Sequence, residues 1–139
     1  MYEPHNDPSV RTQLSKYTLC IVISDNRETA DGLHSYLTNA GIRTRTARRL
    51  RDVTAICKDS AALVLFPDEY DDSEVVSNLR GLRAAHPHLL LLLVTAKPQR
   101  VRAACEPDAR SVLPVVMPKP AFCWSLLDAI RAHVQRETP

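Results

Sequence analysis

Glycine and aromatic residues are scarce in this chain of 139 residues, which contains three glycines and 5% aromatic side chains. No glycine-rich segment follows the first predicted strand, so the chain lacks the backbone cradle that holds phosphates in many nucleotide-binding proteins. A small nucleotide binder or nucleotide-dependent enzyme is therefore the least favoured of the functions considered below.

Long hydrophobic segments are also missing. The longest apolar run, "LLLLLV" at Leu89–Val94, is far too short to cross a bilayer. Residues 1–16 are polar, contain two prolines and carry no apolar signal-peptide core, so they predict a flexible leader and no anchor. Residues 17–136 are enough for one domain with a single core.

Neither sign of charge dominates, because 18 basic residues face 16 acidic ones and the formal net charge is +2. This balance gives no general electrostatic argument for nucleic-acid or membrane partners. The one dense basic segment, Arg43–Arg51, has no interleaved aromatic residues and predicts a solvated strand edge.

Metal-ligand spacings are absent from the cysteines and histidines. The cysteines lack any CxxC pair, which favours buried thiols in a reducing cytoplasm over disulfides or a metal site. These cysteines are Cys20, Cys57, Cys105 and Cys123. Four histidines without zinc spacing are predicted at the surface, namely His34, His86, His88 and His133.

Apolar segments typical of strands alternate with segments of helical periodicity. The predicted strands are Tyr17–Ile23, Ile42–Ala47, Ala61–Phe66, Leu89–Val94 and Ser111–Met117. The predicted helices are Asn26–Gly41, Arg48–Asp59, Asp72–Ala85, a short one within Lys97–Ala109, and Ala121–Gln135 with Phe122, Leu126, Leu127, Ile130 and Val134 facing inward. Because parallel strands need crossovers, this order predicts a parallel α/β sheet with helices on both faces.

Ligands of such sheets bind outside the carboxyl ends of the strands, so the residues that follow each strand are the candidates for function. They are Ser24, Asp25 and Asn26; Pro67, Asp68 and Glu69; Thr95 and Ala96; and Pro118, Lys119 and Pro120. The motifs "SDN", "VTA" and "MPKP" therefore fall at one edge of the predicted sheet.

In this order and spacing, together with the terminal "LLDAIRAHV" helix, these motifs resemble the receiver domain of two-component response regulators over Thr18–Val134. Thr95 matches the family's Thr/Ser position, and Lys119 with Pro120 matches its Lys-Pro pair. The resemblance implies a flavodoxin-like, doubly wound sheet of five parallel strands and a cis Lys119–Pro120 bond.

The phosphorylation pocket that the resemblance implies is degenerate at three places. A receiver carries two acidic residues after the first strand to hold Mg²⁺, and here Ser24 replaces one of them beside Asp25. The acceptor position falls on Pro67, which cannot be phosphorylated, and the switch aromatic is replaced by Val116. Thr95 and Lys119 are then interpreted as relics of the pocket, with Thr95 capping the following helix and the Lys119 stem packing on apolar surface. The alternative is that they still sense charge at this place.

Asp68 lies one residue beyond the acceptor position. Side chains alternate across a strand, so we expect its carboxylate to point away from the pocket unless the strand end bulges. If the strand end does bulge, the alternative is a phosphorylatable receiver in which Asp68 accepts a phosphoryl group from a histidine kinase. Asp25 and Asp68 are then weak candidate ligands for Mg²⁺.

The favoured hypothesis is a non-enzymatic pseudo-receiver in the cytoplasm that acts in signal transduction by binding protein. Its partner would be another signalling protein or a second copy, bound through the fourth helix, fifth strand and fifth helix, where the family commonly makes its contacts. Trp124, at the start of the last helix, is predicted either to pack or to anchor that partner.

Overall fold

The computed structural model describes residues 19–53 and 58–137. Its strands are β1 (Leu19–Ile23), β2 (Arg43–Ala47), β3 (Ala62–Leu65), β4 (Leu90–Thr95) and β5 (Val115–Pro118). Its α-helices are α1 (Arg27–Asn39), α2 (Asp72–Ala85) and α3 (Cys123–Glu137), and 3₁₀ segments occupy Leu50–Asp52, Pro67–Glu69 and Pro98–Ala104. The predicted leader, 1–16, lies outside the described residues.

The five strands form one parallel sheet in the order β2-β1-β3-β4-β5. This is the flavodoxin-like, doubly wound order, so the predicted fold class is confirmed. The order reverses between β1 and β3, and the carboxyl ends of these two neighbours therefore open onto the crevice where such folds bind ligands.

Burial explains which strands occupy the centre. Every residue of β1, β3 and β4 is buried, as expected for strands covered on both faces. The edge strands β2 and β5 are partly exposed, and β2 places Arg43 and Arg45 of the basic segment Arg43–Arg51 at the sheet edge, as predicted.

Two apolar layers cover the sheet. On one face α1 and α3 pack on alternate strand residues through side chains that include Leu37 and Ile130. On the other face α2 and the 3₁₀ helix Pro98–Ala104 pack through side chains that include Leu79 and Val101. No helix among residues 19–53 and 58–137 is long and apolar enough to cross a membrane.

Local signals set the ends of α1. The Asn26 side chain accepts a hydrogen bond from the Thr29 amide, as an N-cap does. Gly41 follows the helix with a φ of 92°, a conformation that side chains with a Cβ rarely adopt. The predicted stop at Gly41 is therefore confirmed, and α2 begins and ends at the predicted residues.

Several predictions about elements were wrong. The strand β5 begins only after Pro114 instead of spanning it, whereas the predicted short helix within Lys97–Ala109 is present as the 3₁₀ helix Pro98–Ala104. Phe122 precedes α3 and is 60% exposed, because the helical period does not extend to the residue before the first turn. Of the second predicted helix, the structure describes a 3₁₀ turn at Leu50–Asp52, and residues 54–57 lie outside the described part.

The predictions that the cysteines are buried and that the histidines are exposed were each only partly confirmed. Cys20 is buried, and burial raises the pKa of its thiol to about 12, whereas Cys105 and Cys123 are half-buried and Cys57 is outside the described residues. His133, on α3, is buried rather than exposed, and the His88 carbonyl oxygen, 2.9 Å from its Nε2, gives the buried ring a hydrogen-bond partner.

Truncation of a central core residue should destabilise the fold. We expect Leu91→Ala, in the fully buried strand β4, to lower the free energy of unfolding by about 2 to 5 kcal/mol, because a cavity replaces packed side-chain volume. Leu113→Ala removes the same atoms from a side chain that is 52% exposed, and should cost less than about 0.5 kcal/mol. Urea unfolding of both variants measures the difference, and equal losses would contradict the assigned burial.

Candidate functional site

A short turn after β3 reaches the carboxyl ends of the other strands. Pro67 begins this turn, which is suited to a residue with a fixed φ and no free amide hydrogen. The Glu69 amide donates to the Phe66 carbonyl and the Tyr70 amide to the Pro67 carbonyl, both at 3.1 Å. Three consecutive side chains, those of Asp68, Glu69 and Tyr70, then contact different strand ends.

Asp68 faces the ends of β4 and β5. The Thr95 hydroxyl donates to Asp68 Oδ1 at 2.5 Å, and the Ala96 amide donates to Oδ2 at 2.9 Å. Lys119 Nζ, just after β5, lies 3.3 Å from Oδ2. The predicted cis Lys119–Pro120 bond is present beside this contact.

The predicted direction of the Asp68 side chain was wrong. Alternation holds only while the chain stays extended, and β3 ends at Leu65. The following 3₁₀ turn rotates the backbone, so that the residue after buried Pro67 points across the end of the sheet. Asp68 consequently lies beside Thr95 and Lys119 without a bulge in the strand.

Glu69 and Tyr70 bind the ends of β1 and β2. Glu69 Oε1 accepts hydrogen bonds from the Ser24 hydroxyl at 2.9 Å and from the Asp25 amide at 2.7 Å. The Tyr70 hydroxyl donates to the carbonyl of Arg48, the first residue after β2, at 2.6 Å. The sequence analysis named Glu69 as a candidate but predicted neither its partners nor any role for Tyr70, because these partners lie more than twenty positions away in the chain.

Arg100, in the 3₁₀ helix Pro98–Ala104, adds a second cation to the Asp68 carboxylate. Its Nη1 lies 3.4 Å from Asp68 Oδ1, and Nη2 donates to the Tyr70 carbonyl at 3.2 Å. The same guanidinium pairs with Asp72 at the start of α2. Arg100 was also missed, and no motif around it signals the contact.

The overall structure is similar to solved response-regulator receiver proteins. One from Sinorhizobium medicae gives a TM-score of 0.71 at 14% identity, covering 86% of this chain and 96% of that chain. One from Methanospirillum hungatei gives 0.69 at 14% identity, covering 86% and 94%. One from Clostridium thermocellum gives 0.68 at 18% identity, covering 86% and 96%.

The chain has the receiver fold. No protein-family model matches it, and no curated protein sequence does.

Within this receiver fold, the predicted pocket residues separate into two groups. Asp68, Thr95 and Lys119 are in mutual contact around one carboxylate. Ser24 and Asp25 are joined to the site through Glu69, and the Asp25 carboxylate is exposed and pairs with Arg48 at 3.3 Å. The Thr95 hydroxyl also accepts from the Lys97 amide at 3.0 Å. Thr95 does not cap the following helix, contrary to the prediction, because the cap position of Pro98–Ala104 is Lys97, whose side chain makes no capping hydrogen bond. Val116 is half-buried in β5 and packs against the core.

The electrostatics of the site favour ionised Asp68. Partial burial opposes ionisation, but hydrogen bonds from Thr95, Ala96 and Lys119, with the charge of Lys119, together hold the pKa of the carboxyl below its usual value. The Asp68 side chain is 19% exposed, so these hydrogen bonds and the ion pair form where water is partly excluded.

The described residues do not fit the Mg²⁺ site that the resemblance implies. Among residues 19–53 and 58–137, no group of three or more His, Cys, Asp or Glu side chains could hold a metal ion. Mg²⁺ needs several oxygen ligands in near-octahedral geometry. The Asp68 oxygens instead face the cations Lys119 and Arg100, and the Asp25 carboxylate faces Arg48.

Loss of the Asp68 charge should destabilise the fold in a pH-dependent way. We expect Asp68→Asn to lower the free energy of unfolding at pH 7 by about 1 to 3 kcal/mol, because the buried Thr95 hydroxyl and the exposed Ala96 amide lose their ionic acceptor. Since the folded-state pKa of Asp68 lies below the unfolded value of about 3.9, its contribution is complete above that value and is lost as pH falls through the folded pKa. The gap between wild type and variant should therefore close below about pH 4.

Urea unfolding across a pH series measures this gap. Asp31→Asn, at an exposed aspartate of α1, is the matched control and should change stability at pH 7 by less than about 0.5 kcal/mol. A gap between Asp68→Asn and wild type that stays constant down to pH 3 would contradict the assigned ionisation of Asp68.

Proposed function

We propose that this chain is a receiver-like signalling module that acts by binding another protein, without phosphotransfer and without enzymatic activity. The observation that carries this proposal is the state of Asp68. Pro67 stands at the acceptor position implied by the resemblance, and both oxygens of the next carboxylate already accept hydrogen bonds or ion pairs.

A phosphoryl acceptor attacks phosphorus with a lone pair of one carboxylate oxygen. Thr95 and Arg100 occupy Oδ1 of Asp68, while Ala96 and Lys119 occupy Oδ2. Donors on both oxygens withdraw electron density, and the lowered pKa marks a weak base. These contacts support a structural role for the carboxylate rather than a nucleophilic one.

The alternative function is a phosphorylatable receiver with Asp68 as acceptor. Its specific support is the contact of Asp68 with Thr95 and Lys119, the two side chains that match the family's pocket. Against it stands the lack of fit to Mg²⁺, because that ion is what offsets the charge of the transferred group in the family.

The surface for a protein partner would lie around β5 and the start of α3. Four of the five exposed large hydrophobic side chains among the described residues fall between positions 113 and 124: Leu113, Val115, Phe122 and Trp124. The rings of Phe122 and Trp124 stack with centroids 5.8 Å apart. Exposed apolar clusters and unpaired sheet edges of this kind favour docking of another protein. The predicted face comprised the fourth helix, the fifth strand and the last helix, and these four residues lie on or next to the last two of those elements. The docking face and the cytoplasmic location both stay predictions.

Phosphorylation is tested directly with a small phosphodonor. Incubation with acetyl phosphate and Mg²⁺ should leave the intact mass unchanged, because no carboxylate oxygen of Asp68 is available to phosphorus. Asp68→Asn is the control that locates any mass increase, and an established receiver protein treated in parallel verifies the donor. A phosphoryl adduct in wild type that disappears in Asp68→Asn would overturn the proposal in favour of the alternative.

The aromatic pair is tested by separating interaction from stability. Phe122→Ser and Trp124→Ser should each change the free energy of unfolding by less than about 0.5 kcal/mol, because both rings are more than half exposed. Trp124 is the sole tryptophan, so its emission should match a solvated indole in dilute protein and shift to shorter wavelength when a partner covers it.

Sedimentation measured over a range of protein concentrations tests whether the partner is a second copy of this chain. Tyr36→Ser removes an exposed aromatic side chain from α1, outside the proposed surface, and is the control. A stability loss as large as that of Leu91→Ala would assign the pair to the core and contradict an interface.

A further inference from the structure

The outer edge of β2 is an open strand edge. β2 is the first strand in the sheet order, and within the part of the chain that the structure describes it pairs only with β1. The Ser24 amide, just after β1, donates to the Ala47 carbonyl at 3.1 Å. Residues of a parallel strand direct their N–H and C=O groups alternately to either side, so Ala47 and Arg45 face β1. The backbone groups of Thr44 and Thr46 therefore face outward, where an added strand could pair with them.

Basic side chains line the same edge. Arg43 and Arg45 lie on one face of β2, because side chains alternate along a strand, and both are exposed. Five of the nine residues in Arg43–Arg51 are arginines and none is acidic. Pairs of opposite charge on neighbouring strands stabilise a sheet, whereas pairs of like charge destabilise it. The edge is therefore complementary to a strand that carries acidic side chains.

The carboxyl end of this edge is not covered by the loop that follows it. The Tyr70 hydroxyl holds the Arg48 carbonyl at 2.6 Å, and the 3₁₀ turn Leu50–Asp52 comes next. A cleft of about 510 Å³ opens beside this turn. It is lined by Asp25, Thr46, Ala47, Arg48, Arg49 and Asp52. A strand added along β2 would consequently end at an open, charged cleft.

We propose that the outer edge of β2 binds an extended acidic segment of another protein, in which acidic residues alternate with β-branched ones. The acidic residues lie beside Arg43 and Arg45, and the residues between them lie beside Thr44 and Thr46. This inference goes beyond the proposed function, because β2 and β5 are opposite edges of the sheet. The module then has a second partner surface, separate from the one that contains Phe122 and Trp124.

Two other occupants match the edge less closely. A second copy of β2 would place arginines against arginines, and like charges on neighbouring strands are destabilising. A nucleic acid would match the positive charge, but it lacks the N–H and C=O groups of a polypeptide strand. In addition, Arg43–Arg51 contains no aromatic side chain on which bases could stack.

The test is an NMR titration of the full chain with a blocked peptide of alternating glutamate and threonine that is at least as long as β2. The Thr44 and Thr46 amides should shift, and their hydrogen exchange should slow as they become paired. A peptide with proline at each threonine position carries the same charge but fits poorly into a strand ladder, so it should bind several-fold more weakly. A lysine–threonine peptide should not bind.

Matched variants identify the edge. Arg45→Glu should weaken binding of the glutamate–threonine peptide by about tenfold, because it replaces an opposite-charge pair by a like-charge pair. Arg131→Glu makes the same charge change at an exposed position of α3 and should leave the affinity unchanged. Thr46→Pro removes one outward N–H group and should lose binding, since an edge strand tolerates proline where its N–H faces solvent. If Thr46→Pro does not fold, the two charge variants decide the result.

The proposal is overturned if millimolar peptide leaves the Thr44 and Thr46 amides unshifted, or if the proline peptide binds as tightly as the threonine peptide. It is also overturned if Arg45→Glu and Arg131→Glu weaken binding equally. A single-stranded oligothymidylate that shifts the same amides at lower concentration than the peptide would assign the edge to nucleic acid instead. These outcomes are independent of the sedimentation and emission experiments, which follow Phe122 and Trp124 at the opposite edge of the sheet.

Discussion

The arrangement of the whole carboxyl edge of the sheet depends on the turn that follows β3. Its three side chains bind four strand ends: Asp68 contacts those of β4 and β5, Glu69 that of β1, and Tyr70 that of β2. Parallel strands pair along their length but leave polar groups unpaired where they end, and buried polar groups without partners are costly. One turn supplies partners at all four ends.

This constraint explains what the acidic segment after β3 contributes to the fold. Glu69 accepts hydrogen bonds from the Ser24 hydroxyl and the Asp25 amide, so the end of β1 is paired with a carboxylate from elsewhere in the chain. The Asp68 carboxylate similarly satisfies the Ala96 amide and the buried Thr95 hydroxyl. The acids of the turn therefore stabilise the edge of the sheet by themselves, whatever their role in signalling.

Much of the fold could be predicted from the sequence because its signals are local. The period of α2, the stop at Gly41 and the buried runs of β1, β3 and β4 lie within single elements. The site was harder, since the partners of Asp68 are 27 or more positions away. The motifs "VTA" and "MPKP" indicated Thr95 and Lys119, but no motif indicated Arg100 or the contacts themselves. The direction of Asp68 failed for a related reason: strand alternation was extended one turn beyond the end of β3. Helical periodicity also failed to predict the positions of Phe122 and His133. Phe122 lies before the first turn of α3 and stacks on Trp124, and the His133 ring pairs with the carbonyl of His88, which is distant in the sequence.

The contact between Asp68 and its donors has a further consequence for how such a module is controlled. A carboxylate attached to the same chain as its donors meets them at an effective concentration fixed by the turn, and this concentration does not vary with the anions of the surroundings. The Asp68 carboxylate is then paired with these donors in every folded molecule. Under the function proposed above, the output would be set by how much folded protein is present and by which partner has access to the stacked rings of Phe122 and Trp124.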